Sequence, residues 1–368
     1  MESTWATEDD GLRRLAAESD GQRYLRSRPL NTRVFDGHND VLLRLHLGQE
    51  DPVAAFVEGR PDGHLDLPRA ERAGFAGGMF AVFVPGAADD EPPEPRLDRP
   101  LDPPIGFDDA RAVSERMAEL LRRLEERSAG RLRVIRRSGE LESCVAGEAV
   151  GAVLHFEGAE PIDDGLRNLE AWYERGLRSL GLVWSRPNAF AEGVPFRFPS
   201  SPDTGPGLTP AGRELVRECN RLGILLDLSH LNERGFWDVA RLSEAPLVAS
   251  HSNAHALHPA SRNLTDDQLD AIAASDGLVG ATFHARFLSD GSATVADFVH
   301  HVDYLVERMG IEHVGFGSDF DGCPLPEDME DVTALPRVPD ALRAAGYDES
   351  ALRRLGHENW VRVIAATW

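Results

Sequence analysis

The chain has 368 residues, of which 42% are hydrophobic and 27% charged, a composition typical of a globular protein and not of a disordered chain. This length fits within a single (β/α)8 barrel. All 39 basic residues are arginine, which excludes Schiff-base catalysis, a Walker-type phosphate lysine and a carboxylated-lysine metal bridge. Because 62 acidic residues give a net charge of −23, neither nucleic acid nor an anionic membrane surface is expected as a partner.

Cysteine usage and the amino-terminal region bear on compartment and domain organisation. Cys144, Cys219 and Cys323 lie far apart without a C-x-x-C pair, so we expect buried thiols rather than disulfides or a cysteine zinc site. The first thirty residues carry charges throughout and have no apolar signal-peptide core, and no segment approaches the ~20 apolar residues of a membrane span. We therefore expect a cytoplasmic protein with an N-terminal helical extension over 1–30 and one catalytic domain over 31–368.

Short apolar, β-branched runs bounded by glycine, proline or polar residues predict eight strands. They lie at about 32–36, 77–84, 150–156, 178–184, 223–229, 246–251, 277–283 and 313–318. Most of them are separated by helical patterns. The clearest helices are an amphipathic one over 108–127, one that starts at Thr209-Pro210 and stops at Gly223, and one opened by a capping box of Thr265 with Gln268.

This alternation of strands and helices predicts a (β/α)8 TIM barrel, with a doubly wound open sheet as the alternative. Two segments are interpreted as loops. One is the proline- and acid-rich stretch 85–106, expected to be exposed. The other, 193–209, follows the fourth strand and would overhang the catalytic mouth of a barrel.

Barrel enzymes carry their catalytic residues at the carboxyl ends of the strands. Each strand-end motif is a weak signal, since a lone histidine there is more often a hydrogen-bonded core residue. Five of the predicted ends nevertheless carry residues with metal-ligand chemistry: His38 and Asp40 after the first strand, Glu157 after the third, His230 after the fifth, His251 after the sixth and Asp319 after the eighth.

Imidazole nitrogens and carboxylate oxygens together suit Zn²⁺, or Mn²⁺ and Co²⁺ in related sites. Three histidines and two carboxylates suffice for two adjacent ions if one carboxylate bridges them. In a chain without lysine, Glu157 is the natural bridge.

The sequence resembles the membrane dipeptidase (renal dipeptidase) family of zinc peptidases, within the amidohydrolase-like barrels. The likeness runs from about Arg33 to the carboxyl terminus. It is densest in GLTPAGRELVRECNRLGILLDLSHLNERGFWDV, APLVASHSNAHALHPASRNLTDDQLDAI and HVGFGSDFDG. The resemblance implies a metallo-dependent hydrolase barrel with two zinc ions per chain.

The resemblance also assigns roles to individual residues. His38 and Asp40 would bind one zinc ion, His230 and His251 the other, and Glu157 both. Two further roles follow from matching motifs: Asp319 would be the acid/base residue, and Arg262 in Ser261-Arg262-Asn263 would hold the substrate's α-carboxylate.

Two positions depart from the family's pattern. Trp184 in LVWSRPN stands where better-known members carry a histidine that contacts the substrate. An indole donates one hydrogen bond but cannot become a cation, so oxyanion stabilisation would be weaker there or supplied by metal alone. His284 stands where tyrosine is expected. We assign both residues to substrate binding.

Other polar residues near these motifs are interpreted mainly as structural. Asp321 is interpreted as a turn residue, His155 as a core residue or one that supports a ligand, and His255 and His258 as solvated loop residues that could also line the pocket. No role is predicted for the remaining histidines: His46, His64, His300, His301, His313 and His357.

The sequence thus favours a dinuclear zinc dipeptidase that hydrolyses dipeptides by attack of a metal-bridging hydroxide. A homodimer is implied by the resemblance alone. One alternative is another metal-dependent amidohydrolase, acting on an N-acyl amino acid or a lactone. The other is a non-catalytic metal-binding homologue; the complete ligand set argues against it, and Trp184 is the one feature in its favour.

Overall fold

The computed structural model describes residues 32–48, 50–86, 101 and 103–368. The predicted helical extension over 1–30 and most of the predicted loop over 85–106 lie outside these ranges. The described strands are β1 (Val34–Asn39), β2 (Phe75–Phe83), β3 (Leu132–Val134), β4 (Val150–Glu157), β5 (Leu177–Gly181), β6 (Leu225–Asp227), β7 (Val248–Ala249), β8 (Leu278–Ala281) and β9 (Val314–Phe316).

Eight of these strands close into a parallel barrel in the order β1–β2–β4–β5–β6–β7–β8–β9. The ring closes because β1 pairs with β2 on one side and with β9 on the other, where Asp36 lies opposite Phe316. The predicted (β/α)8 barrel is confirmed. The alternative, a doubly wound open sheet, is wrong because the eight strands leave no open edge.

The observed strands differ from the predicted ones mainly in length. Each predicted run overlaps one barrel strand, but β6, β7 and β9 are only two or three residues long. Beyond them the chain leaves the ladder, and His230 and Asp319 take φ angles of +68° and +63°. The unpredicted β3 pairs with the first residues of β4, Leu132 opposite Val150, on the side that β5 occupies further along.

Helices connect most of the strands. They are α1 (Val41–Gly48), α2 (Pro52–Glu58), α3 (Leu67–Ala73), α4 (Phe107–Arg127), α5 (Ser138–Val145), α6 (Leu169–Glu174), α7 (Pro210–Leu222), α8 (Glu233–Leu242), α9 (Asp266–Ala274), α10 (Val295–Met309), α11 (Arg337–Ala344), α12 (Glu349–Arg353) and α13 (Asn359–Thr367).

The three helices singled out in the sequence are present. The predicted amphipathic stretch forms α4, with its apolar face buried. The hydroxyl of Thr209 accepts a hydrogen bond from Gly212 N at the start of α7, and Gly223 ends that helix at a φ of +71°. Thr265 and Gln268 form the expected box at the start of α9.

Trp360 of α13 fills the barrel interior near the amino ends of the strands. The indole is fully buried beside Phe35, and its Nε1 donates to Phe316 O at 3.0 Å. A Cβ at Gly315 would lie 2.7 Å from the indole nitrogen, so only glycine leaves room for this ring. The packing leaves the carboxyl ends of the strands as the open end of the barrel.

The 193–209 segment contains neither helix nor extended strand, as predicted; Gly193 forms a single bridge to Leu231. Cys144, Cys219 and Cys323 are buried free thiols, also as predicted. Among the described residues, no helix is both long and apolar enough to cross a membrane.

Candidate metal centre and substrate cavity

The ends of β1, β4, β6 and β7 bring the five predicted metal ligands into one cluster. His38 lies in β1 and Asp40 directly after it, with His38 Nε2 3.3 Å from Asp40 Oδ2. His230 and His251 follow β6 and β7, and their Nε2 atoms are 2.9 Å apart. All five side chains are buried.

Glu157, the last residue of β4, lies between the two pairs. Its Oε2 is 3.6 Å from His38 Nε2, whereas its Oε1 is 3.0 Å from His230 Nε2 and 3.7 Å from His251 Nε2. Each carboxylate oxygen therefore faces a different group of nitrogens, which is the arrangement of a bridging carboxylate.

Hydrogen bonds fix which nitrogen of His251 faces the cluster. The Ser250 hydroxyl donates to Asp227 Oδ2 at 2.5 Å, so its only proton is used there. His251 Nδ1, 2.8 Å from the same hydroxyl, must then be the donor, which leaves a lone pair on Nε2. His230 Nδ1 is similarly engaged by Ser185 Oγ at 2.9 Å. Such partners orient imidazoles as metal ligands.

Sequence reasoning missed these supporting groups. They are Asp227, Ser185, Ser250 and Asp36. The Asp36 carboxylate accepts hydrogen bonds from Ser318 N at 2.6 Å and from Ser318 Oγ at 2.9 Å. These bonds connect β1 to the segment that follows β9. A signal was available. Asp36 precedes His38 by two residues within the buried β1, and Asp227, the last residue of the buried β6, precedes His230 by three.

The charges and unpaired atoms of the cluster fit metal ions. Neither ring nitrogen of His38 has a hydrogen-bond partner within the described part of the chain, although the ring is fully buried. Burial opposes its protonation, but Glu157 and Asp40 outweigh burial and raise its pKa well above the usual range. Burial and, to a smaller extent, the charge of Arg262 lower the pKa of His230 to about 4. Burial and the neighbouring His38 lower the pKa of His251. The neutral imidazoles of His230 and His251, beside the buried carboxylates, belong to a donor set suited to zinc.

Asp319 lies three residues beyond the end of β9, beside the Asp40 side of the cluster. Asp319, Asp40 and His38 each offer a ligand atom, all within 4.8 Å of one another. Burial and the neighbouring Asp40 raise the pKa of Asp319 well above its ordinary value. A carboxyl group in this position can hold a proton near neutral pH.

Arg262 is a buried guanidinium that forms no ion pair among the described residues. Two of its nitrogens donate to Ser252 Oγ at 3.2 Å and to His251 O at 3.0 Å, and its Nε finds no partner among the residues that the structure describes. Burial lowers its pKa to about 10, so it remains a cation at neutral pH. Such a group favours an anionic ligand.

Asp40, Glu157 and His230 of the cluster line one cavity of about 590 Å³, together with Arg262 and Asp319. An aromatic wall of Phe83, Trp184, Phe196 and Phe287 bounds it. Trp184 contacts Phe83 and Phe196 edge to face, with ring centroids 5.0 and 5.4 Å away, and also lies 5.9 Å from the His230 ring. His284 lines the same cavity, stacked on Phe287 at 3.9 Å.

Several other polar residues have structural partners. His155 is fully buried beneath the cluster, with Nδ1 2.9 Å from Ser179 Oγ, and Asp321 is paired with Arg60. His258 stacks on Phe198, and His255 contacts Ser200 O at 2.9 Å. None of these four belongs to the metal cluster, although Asp321 lines the cavity with its turn.

Comparison with known proteins identifies the family. The sequence profile described as "Membrane dipeptidase (Peptidase family M19)" matches residues 28–367. The chain belongs to this family. It is accordingly a hydrolase of the metallo-dipeptidase type that acts on peptide bonds.

Relatives of this family member include solved structures and curated sequences. A metallopeptidase from Rhodobacter sphaeroides, solved with a phosphinate mimic of the dipeptide L-Ala-D-Ala, is 50% identical; the match covers 92% of this chain and 99% of that chain, with a TM-score of 0.88. An uncharacterized protein in the pqqA 5′ region of Klebsiella pneumoniae is 46% identical over 254 residues, 68% of this chain and 94% of that protein. An uncharacterized protein in the PQQ-III 3′ region of Acinetobacter calcoaceticus is 39% identical over 296 residues, 77% and 91% of the two chains.

Proposed function

We propose that this protein is a dinuclear zinc dipeptidase. The observation that carries the proposal is the placement of Glu157, whose two oxygens face His38 on one side and His230 with His251 on the other. His38 and Asp40 would hold one ion and His230 and His251 the second. Glu157 would bridge them.

Zinc suits this donor set because borderline-soft Zn²⁺ takes imidazole nitrogen and carboxylate oxygen together. Bound there, the ions would supply Lewis acidity at the scissile carbonyl and would acidify a water molecule so that it is a nucleophile near neutral pH. The buried ring of His38 supports this assignment, because its nitrogens form no hydrogen bond with the described residues and its Nε2 lies 3.3 Å from Asp40 Oδ2.

Asp319 would transfer the proton during hydrolysis. Its carboxylate accepts a proton from the attacking water and passes it to the nitrogen of the departing amine, so that the amine leaves as a neutral group. The raised pKa of this carboxyl, caused by burial and by Asp40, suits a group that carries a proton between two steps.

Arg262 would select substrates with a free carboxylate close to the cleaved bond. Its guanidinium lines the same cavity as Glu157 and Asp319, and a planar fork matches a carboxylate. The dipeptide mimic bound by the Rhodobacter sphaeroides relative supports the same substrate class.

Trp184 and His284 would shape the substrate pocket. Trp184 stands with three phenylalanines in the aromatic wall. There it would pack against an apolar side chain of the substrate and exclude water. Burial and Arg262 lower the pKa of His284, so this imidazole acts as a neutral hydrogen-bonding group. Neither Trp184 nor the neutral His284 therefore contributes a positive charge to the pocket.

The cytoplasmic location, the homodimer and the helical extension over 1–30 remain predictions. Fractionation of cells that produce the full chain would test the location, and light scattering of purified protein would test the dimer.

A substrate panel tests the proposed function. Zinc-loaded protein is assayed with L,L- and L,D-dipeptides, with N-acyl amino acids and with lactones. We expect turnover of dipeptides. The Arg262→Met variant should lose about 10- to 100-fold in kcat/KM, as expected for about 1.5–3 kcal/mol from a charge-assisted hydrogen bond.

Dipeptide amides provide the control for carboxylate recognition. Because they lack the α-carboxylate, Arg262→Met should change their turnover much less than that of the free dipeptides. Arg234→Met alters an exposed arginine paired with Asp203 and should leave both activities unchanged. A protein that binds two metals and hydrolyses nothing would support the non-catalytic alternative, and turnover of lactones or acyl amino acids alone would support the other amidohydrolase.

A further inference from the structure

The turn that carries Asp319 has an unfavourable backbone conformation. Asp319 and Asp321 take φ angles of +63° and +68°, in the left-handed region of backbone conformation that residues other than glycine rarely adopt. Gly322 follows, and a Cβ there would collide with the carboxylates of Asp40 and Asp319. Surrounding contacts must therefore hold the turn in place.

One edge of the turn is bonded to the end of β1. Asp319 N donates to His38 O at 3.0 Å, and Asp40 N donates to Phe320 O at 2.8 Å. These bonds fix the backbone of Asp319 against two predicted metal ligands. They leave the opposite edge of the turn, at Asp321, to be fixed by other groups.

Asp321 is bonded at every polar group to the segment between Arg44 and His64. Its Oδ2 accepts from Arg60 Nη2 at 2.6 Å, and its Oδ1 accepts from His64 N at 2.7 Å. Its own N–H donates to His64 Nδ1 at 2.9 Å, and its carbonyl accepts from Arg44 Nε at 3.2 Å. The Arg60 and Asp321 side chains are only 2% and 0% exposed, so water hardly weakens this ion pair.

Arg60 is itself held firmly. Its guanidinium packs on Gly63, where a side chain would collide with it, and its backbone N–H donates to Asp66 Oδ2 at 3.2 Å. Asp66 also caps α3 by accepting from Arg69 N. The pair therefore joins the turn to a fixed part of the barrel mouth.

We propose that Arg60, His64 and Asp321 are positioning residues that hold the Asp319 carboxylate in reach of the substrate. The proposal rests on the acid/base role given to Asp319 above. None of the three is assigned contact with the reacting atoms; each acts through the backbone of the turn. Misplacement of a reacting group by about 1 Å can cost roughly 100-fold in rate.

Kinetics of zinc-loaded variants test the proposal. Asp321→Asn keeps the shape of the side chain but removes its charge, so the Arg60 pair is lost. We expect kcat to fall roughly 10- to 100-fold with KM within about threefold and two zinc ions retained. Arg60→Met should behave in the same way, and Arg60→Lys, which restores a cation, should recover part of kcat.

Asp238→Asn is the matched control. Asp238 is also a buried aspartate paired with arginine, in α8, and it does not line the cavity. Its loss should lower stability without changing kcat. If Asp238→Asn lowers kcat as much as Asp321→Asn does, or if kcat falls only as zinc is lost, the positioning role is wrong.

Hydrogen exchange on the same zinc-loaded full-length proteins gives a readout that does not depend on turnover. Amides of residues 317–322 should exchange at least tenfold faster in Asp321→Asn than in the wild type, and those of β4 should not change. Unchanged exchange over 317–322 would overturn the proposal. If the wild type hydrolyses no dipeptide, the proposed function fails, and the exchange result still decides whether Asp321 holds the turn.

Discussion

The carboxylate of Glu157 faces histidines in or just after three different strands, and the chain offers no lysine that could bridge in its place. Both of its oxygens are engaged, one on each side. A change that removes one acceptor oxygen without changing the size of the side chain therefore tests the bridge directly.

Glu157→Gln should lower the zinc content from about two ions per chain to fewer than one, because an amide offers one acceptor oxygen and no negative charge. The measurement is elemental analysis of purified protein after dialysis. Glu174→Gln, at an exposed position at the end of α6, is the control and should keep both ions. Loss of a single ion would show that Glu157 does not bridge.

Asp319→Asn should keep its metals and lose about 10²–10⁴-fold in kcat, because the amide can neither accept nor return a proton. Steady-state kinetics and metal analysis of the same preparation check this. Asp270→Asn makes the same chemical change on an exposed face of α9 and should leave kcat unaltered. Near-normal turnover of the Asp319 variant would remove this residue from the mechanism.

At the scale of elements, α10 is joined to the loop that follows β7 through His301, a residue for which the sequence predicted no role. Its Nδ1 accepts from Ala254 N at 3.2 Å and its Nε2 donates to Leu288 O at 3.1 Å, so both ring nitrogens are used by the neutral form. Burial, with smaller contributions from His258 and His300, lowers its pKa to about 4, although the hydrogen bond to Leu288 O and the charge of Asp297 act in the opposite direction.

This lowered pKa predicts a pH-dependent stability. A histidine with a folded-state pKa near 4 and an unfolded-state value near 6.5 contributes stability that is fully present above pH 6.5 and is lost as the pH falls toward 4. His301→Gln cannot titrate. The free energy of unfolding of the wild type should therefore fall by up to about 3 kcal/mol more than that of the variant between pH 7 and pH 4.

Urea unfolding of both proteins at pH 7, 5.5 and 4 measures the difference. The exposed His300 of the same helix is the control position, because His300→Gln should show the wild-type dependence. A constant difference in unfolding free energy between wild type and His301→Gln at all three pH values would contradict the prediction.

At the scale of the whole molecule, the candidate metal centre connects strands from all around the barrel. His38 and His251 lie more than 200 residues apart in the chain, and Glu157 lies between them in β4. Ions bound by these residues stabilise the folded state only, because the unfolded chain does not hold the ligands together.

Removal of zinc by a chelator should lower Tm by roughly 5 °C or more, since binding at ~1,000 times Kd contributes about 4 kcal/mol. Scanning calorimetry with and without chelator checks this, and added zinc should restore the original Tm. The Glu157→Gln variant should show little response to the chelator. An equal response in the variant would mean that the stabilising metal is bound elsewhere.

The sequence by itself determined the main elements and the residue types of the site. Strand and helix patterns are local, so the eight barrel strands, α4, α7 and α9 follow from periodicity and end signals within a few residues. The predicted metal residues also stand at strand ends that can be recognised locally. The family resemblance supplied their separate roles.

Only the tertiary structure decided how the site is supported. The paired residues Arg60 and Asp321 are 261 positions apart in the sequence, and the hydrogen-bonded residues Ser318 and Asp36 are 282 apart. No local sequence pattern can predict either contact. The aromatic wall combines Phe83, Phe196 and Phe287 from separate loops and strands around Trp184. Short-range preferences fix which residues form an element, whereas closure of the barrel fixes which distant side chains meet at its mouth.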